Sequence, residues 1–182
     1  MTTVAFIGLG NMGSGMADNL VKNDYNVLAF DLSEAALAKA KDAGCTIAQS
    51  TEQAAAEADI VITMLPAGKH VKDIYSNQIL ASVREGTLLI DCSTIDVETA
   101  KSVSELAEKK GLKMLDAPVS GGVAAAAGGT LTFMVGGDAD AFDKAHGVLS
   151  AMGKKIVHAG GHGAGQAAKI CNNMLLGATM IA

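Results

Sequence analysis

A doubly wound α/β fold with a mostly parallel sheet is the expectation, and three observations carry it. Short, continuously apolar runs rich in β-branched residues alternate with longer segments of helical periodicity along the 182-residue chain. Glycines follow the first of those runs as Gly8, Gly10 and Gly13. The composition is 49% hydrophobic but only 3% aromatic, with 21 Gly and no Trp. Such a core is built from aliphatic side chains and Ala, which suits helices packed closely on a sheet.

The elements follow in order. Residues 3–7 (Thr-Val-Ala-Phe-Ile) read as a buried strand, and Met12, Met16, Ala17 and Leu20 then recur at helical spacing. A strand over 26–30 precedes Ser33, which caps a helix running to about Ala43. A weak strand is expected near 46–48, a short helix capped by Thr51 to Ala58, a strand over 59–64, and a helix near 69–76. Residues 87–91 form the next strand, and Val97, Ala100, Val103 and Ala107 make one helical face. Strands over 113–117, 130–135 and 155–158 complete the alternation. After Gly165 the pattern is helical to Ala182.

Bulk chemistry narrows the function. Charged residues make up 18% of the chain and the formal net charge is −5. That excludes a disordered chain, and without a basic stripe nucleic acid is not an expected partner. Cys45, Cys92 and Cys171 are odd in number and scattered, so reduced thiols in a cytosolic protein are expected. No targeting peptide fits before a strand that starts at Thr3, and no apolar run is long enough to span a bilayer.

The stretch Gly8-Leu9-Gly10-Asn11-Met12-Gly13 is GxGxxG between an apolar strand and an amphipathic helix. The first glycine makes a tight turn, the second admits a pyrophosphate to the backbone, and the third lets the helix pack on the strand. Free N–H groups and the positive end of the helix dipole then face the phosphates. Asp31 ends the second strand at the spacing expected of a ribose-binding carboxylate, which favours NAD and repels the 2′-phosphate of NADP. Met64-Leu65-Pro66 and Ser93-Thr94 end two further strands on the same crevice. Read alone, Thr94 serves equally as a helix N-cap, and Pro66 as a plain turn.

Two glycine clusters, 121–129 and 160–165, sit in long turns of the kind that serve sites. In Asp116-Ala-Pro-Val-Ser120-Gly121-Gly122, a hydroxyl and two amides at a helix start form either a carboxylate cradle or a capped turn. Farther on, Lys169 and Asn173 stand i and i+4 on one helix, as a catalytic pair or as solvated residues. His158 and His162 are i and i+4 with no third ligand, so no metal is expected. His70 lies near a strand end of the crevice and reads as a cofactor contact or, more simply, a surface residue; His146 reads as helix surface, and the nine Met mostly as core filler.

These motifs occur together and in order, and so the chain resembles the β-hydroxyacid dehydrogenase family. The segments 64–68 and 89–96 are most similar to its 3-hydroxyisobutyrate dehydrogenases, with the tartronate semialdehyde reductases as close relatives. The resemblance implies a Rossmann-type NAD domain over 1–162 and the start of an interdomain helix over 163–182, leading in the family to an all-helical domain that this chain lacks. It implies Lys169 as catalytic acid/base, and Ser120, Gly121, Gly122 and Asn173 as binders of a short β-hydroxyacid. Leu65, Pro66 and Thr94 are implied as cofactor contacts beside the glycine turn, Asp31 and Met64. It also implies a homo-oligomer. The charge-free stretch 174–182 is expected to drive self-association. A non-catalytic NAD-binding module is the reading of a different class.

Overall fold

The computed structural model describes residues 1–181. Among them, one nine-stranded sheet forms the centre of the molecule. Its parallel part comprises β1 (Thr3–Ile7), β2 (Asn26–Phe30), β3 (Thr46–Ile47), β4 (Ile60–Thr63), β5 (Leu88–Asp91) and β6 (Lys113–Asp116). These lie in the order β3-β2-β1-β4-β5-β6, so the chain reverses direction across the sheet after β3. That reversal leaves a crevice at the carboxyl ends of β1 and β4, where ligands of such sheets bind.

Helices cover both faces. They are α1 (Gly13–Lys22), α2 (Glu34–Asp42), α3 (Thr51–Glu57), α4 (Gly68–Ile74), α5 (Leu80–Ser82), α6 (Val97–Glu108), α7 (Gly122–Ala127), α8 (Ala139–Met152) and α9 (Ala164–Ile181). Strand alternation sorts the core into two layers: Val4 and Phe6 pack with α1 and α8, whereas Ala5 and Ile7 pack with α3 and α6. Both layers are aliphatic, as the composition requires.

The sheet departs from the expected pattern on its far side. β8 (Leu131–Gly136) runs antiparallel to β6 and to the two-residue β7 (Val119–Ser120), and β9 (Gly153–Gly160) then runs parallel to β8. β7 was not expected, because a two-residue strand carries no periodicity. β9 is longer than its sequence signal, since most of it is exposed and it is held by backbone pairing rather than burial.

Two caps also differ. Ser50, not Thr51, caps α3 by accepting from the Gln53 amide, and the Thr51 side chain is buried. Asp96, not Thr94, caps α6 through the Thr99 amide. The helix expected near 69–76 runs farther, through a π-helical turn (Tyr75–Ile79) into α5. Ala182, the expected end of the last helix, lies outside the described residues.

Candidate cofactor and catalytic site

The turn from β1 into α1 is shaped by what its glycines allow. Gly8 has φ +97°, and a Cβ there would collide with the carbonyl oxygen of Met64. Gly13 lies against the Gly8 carbonyl, which brings α1 onto the strand. Gly10 is different: a Cβ built there meets nothing within 4 Å. No side chain caps α1 and no acidic residue lies in its first turn, so its N-terminal amides have no internal anion.

These residues open onto a groove of about 580 Å³. Gly8, Gly10, Asn11, Met12, Gly13, Asp31, Met64, Leu65 and Pro66 all line it, as expected. Leu9 does not. Its side chain is 1% exposed in the core, its amide donates to Asp31 at 2.6 Å, and its carbonyl accepts from Ser14 Oγ. Thr94 is exposed in the segment after β5 but outside the groove wall. Leu32, Ile74 and Gln78 also line the groove and were not anticipated. Leu32 is 93% exposed beside Asp31, an apolar surface suited to an adenine ring. A lone Leu after an acidic residue gives no sequence signal, and Ile74 and Gln78 face the groove from the π turn and the helix leading into it.

Behind the groove, a buried polar network joins the strand ends. The Thr63 hydroxyl donates to Asp91 Oδ1 at 2.7 Å and accepts from the Tyr75 hydroxyl at 3.1 Å. Ser93 Oγ donates to the same Asp91 oxygen at 2.6 Å and accepts from the Leu65 amide at 2.8 Å. Asp91 Oδ2 is buried and has no hydrogen-bond partner among the described residues. Burial pushes the Asp91 carboxyl up to about 6, against the pull of the Ser93 and Thr63 hydrogen bonds. Asp116 lies in register beside it on β6, and burial raises its carboxyl as well.

Asp116 organises the second site element. Its Oδ1 accepts from the Gly163 amide at 2.8 Å and its Oδ2 from the Gln166 amide at 3.0 Å, so it caps α9 from another strand. Gly165 makes that approach feasible, because a Cβ there would lie 2.5 Å from both the Asp116 and Met134 carbonyl oxygens. One turn later Lys169 is only 9% exposed, and among the described residues it has no ion-pair partner. Burial alone lowers its pKa.

On the face that Lys169 shares with its i+3 neighbour, Asn172 Nδ2 donates to Ser120 Oγ at 3.3 Å. Thus α9 meets the Ser120-Gly121-Gly122 turn, where both glycines have positive φ. Asn173, the expected partner of Lys169, is exposed and is reached by the Asn172 amide at 3.4 Å. Asn172 was missed because i+3 and i+4 positions on one helix are hard to rank without the facing element. His158 bonds to the Gly137 carbonyl, and His162 lies 2.9 Å from Glu108.

A glycine turn with an open Gly10, an uncapped α1, a carboxylate at the end of β2 and a groove across the strand reversal define a dinucleotide-binding domain. The chain belongs to the family described as the NAD binding domain of 6-phosphogluconate dehydrogenase, which matches residues 3–161. It is 54% identical over 182 residues to a 3-hydroxyisobutyrate dehydrogenase of Pseudomonas aeruginosa, covering 99% of this chain and 61% of that protein. It is 51% identical to the NAD-dependent L-serine dehydrogenase of the same organism, covering 100% of this chain and 61% of that protein. The solved structure of Mycobacterium tuberculosis 3-hydroxyisobutyrate dehydrogenase with L-serine matches with TM-score 0.94 and 52% identity, over 97% of this chain and 60% of that one. The chain therefore spans about three fifths of the length of these relatives. Among the described residues no helix is long and apolar enough to cross a membrane.

Proposed function

We propose that this chain carries the cofactor half and the catalytic helix of an NAD-dependent β-hydroxyacid dehydrogenase acting on 3-hydroxyisobutyrate. One observation supports this most: a buried Lys169, without a counter-charge among the described residues, stands one turn before Asn172, which reaches Ser120. A cofactor groove alone would need none of these. NAD, when bound there, would supply the hydride acceptor for oxidation of the carbinol carbon. The groove residues named above, from the glycine turn to Pro66, hold the dinucleotide, and Asp31 holds its adenosine ribose.

Lys169 takes the hydroxyl proton as the carbonyl forms and returns it in the reverse direction. Its lowered pKa makes the neutral amine more available for that step. Ser120 Oγ and the Gly121 and Gly122 amides receive the substrate carboxylate, and Asn173 orients the hydroxyl. L-Serine is the second substrate supported, since it is named for two of the proteins that this chain resembles. Both molecules carry a hydroxymethyl group on the carbon next to a carboxylate, so one site fits either.

The same reading divides the chain at residue 162. Residues 1–162 bind the cofactor, and α9 then presents Lys169 inward and Ile170, Met174, Leu175 and Met180 outward. That apolar face supports a homo-oligomer, which sedimentation of this chain tests. The free thiols, with Cys45 and Cys92 buried and Cys171 exposed, fit a reducing compartment such as the cytosol. The deciding experiment joins this chain to the remaining two fifths of the M. tuberculosis relative and follows NADH formation. Turnover of 3-hydroxyisobutyrate above that of L-serine and glycerate supports the reading. NAD binding without turnover of any hydroxyacid leaves a binding module instead.

A further inference from the structure

Gln166 does more than lend its amide to the Asp116 carboxylate: its side chain ties α9 to the segment after β5 with two further hydrogen bonds. It is 1% exposed. Its Nε2 donates to the Ser93 carbonyl at 2.8 Å, and its Oε1 accepts from the Ile95 amide at 3.2 Å. Those two backbone groups flank Thr94. A planar carboxamide with one donor edge and one acceptor edge pairs with them as a neighbouring strand would. Glu could not donate to the Ser93 carbonyl when ionised, and Asn is one methylene shorter.

The contacts continue on either side. Ser93 Oγ accepts from the amide of Leu65, a residue of the groove wall. The Gln166 amide is held by Asp116, and Lys169 follows one turn along the same helix. A path of hydrogen bonds, part-buried at Leu65 and buried beyond it, thus runs from the groove wall through Ser93 and Gln166 to the start of α9. Here we infer that Gln166 is a positioning residue that locks the Thr94 segment to the lysine helix, so that filling the cofactor groove tightens the first turn of α9. The inference rests on the groove binding NAD as read above. It assigns no contact between Gln166 and cofactor or substrate.

Amide hydrogen exchange on this chain, with and without saturating NAD, tests it. In the unsubstituted protein NAD slows exchange at Leu65 and Ile95, and also at Gly163 and Gln166, which lie outside the groove. In Gln166→Met the Ile95 amide exchanges about five- to tenfold faster, the worth of one neutral hydrogen bond. NAD then still slows Leu65 but no longer slows Gly163. General destabilisation would speed exchange equally with and without NAD, so the NAD-dependent difference isolates positioning. Slowing confined to Leu65 and its groove neighbours in the unsubstituted protein overturns the inference alone, even if the variant fails to fold. Absence of any NAD-dependent change overturns the cofactor reading and this inference with it.

Discussion

The turn from β1 into α1 and the turn from β9 into α9 are built from the same parts and put their helix starts to opposite use. Each carries a glycine of positive φ at the strand end, Gly8 at +97° and Gly160 at +137°. Each has a glycine that admits backbone too close for any Cβ, Gly13 in one and Gly165 in the other. In the first turn the space beside Gly10 is open and nothing caps α1. In the second, the Asp116 carboxylate already occupies the amides of Gly163 and Gln166. A glycine-rich strand–helix turn therefore reports close backbone approach. It is an anion seat only where the protein supplies no carboxylate of its own. The first turn is left open for phosphates, whereas the second is closed so that α9 holds Lys169 in a fixed place.

The largest expected effect breaks the second turn's purpose. In the joined chain described above, Lys169→Ala lowers turnover by about 10²–10⁴-fold, the usual worth of a positioned acid/base, and leaves NAD affinity near its starting value. Lys169→Arg does not restore turnover, because a guanidinium keeps its proton at working pH. Near-normal steady-state rates in either variant would return Lys169 to the status of a buried structural residue.

The same substitution in the two turns sharpens the contrast. Gly165→Ala places a methyl 2.5 Å from two carbonyl oxygens. It should lower stability by about 2–3 kcal/mol after the better helix propensity of Ala, roughly 1 kcal/mol, is set against the clash. Gly10→Ala meets open space and should leave the melting temperature within a few degrees, while NAD affinity falls about tenfold or more because the methyl occupies the pyrophosphate approach. Thermal melts and NAD titrations of the two variants side by side check both halves.

The sequence displayed the first turn more fully than the second. GxGxxG, Asp31 and the apolar strands are local patterns with a fixed physical meaning, and each landed on the groove. Leu9 shows the limit: its place inside the motif implied a cofactor contact, yet its side chain is core and its amide serves Asp31. The second turn could be seen only as glycines before a helix. Its closing group, Asp116, lies 47 residues earlier than the Gly163 amide it accepts. Likewise Gln166 and Asn172 act on β5 and β7 ends that no local pattern connects to α9. The antiparallel β8 was equally hidden, since burial on both faces gives the same apolar run in either direction.

Asp116 and its register partner Asp91 extend the comparison to pH. The helix start satisfies both oxygens of Asp116, but Asp91 Oδ2 has no hydrogen-bond partner among the described residues. The folded protein thus favours protonated Asp91, with its carboxyl raised from 3.8 to about 6. That contribution is fully present below pH 3.8 and is lost as pH rises through 6. Each tenfold gain in proton affinity on folding is worth about 1.4 kcal/mol, so the loss reaches up to about 3 kcal/mol. Asp91→Asn cannot ionise. Its stability relative to the unsubstituted protein should therefore climb between pH 4 and pH 7, whatever constant offset the amide introduces. Urea unfolding at several pH values measures the difference, in which the Asp116 titration largely cancels. A flat difference would mean that Asp91 is ionised throughout and is fully compensated by Thr63 and Ser93.

The smallest effect concerns how much negative charge the open turn accepts. Asp31 Oδ2 takes the Leu9 amide and Oδ1 the Ser33 amide, and each oxygen keeps a lone pair for a ribose hydroxyl. A 2′-phosphate at that position would set two anions side by side at the edge of the groove. The neighbouring Leu32 offers it no cation. NAD should therefore bind more tightly than NADP. Asp31→Ser removes the repulsion but also an acceptor of the Leu9 amide, so NAD affinity falls modestly while NADP affinity rises. The ratio of the two should narrow about tenfold, a size expected of one charge pair near solvent. It should narrow less at high salt, where the repulsion is already screened. Titrations with both dinucleotides at two ionic strengths separate the outcomes: equal affinities in the unsubstituted protein would remove Asp31 from the ribose site, and a salt-independent ratio would make it a loop anchor for Leu9 rather than a discriminator of charge.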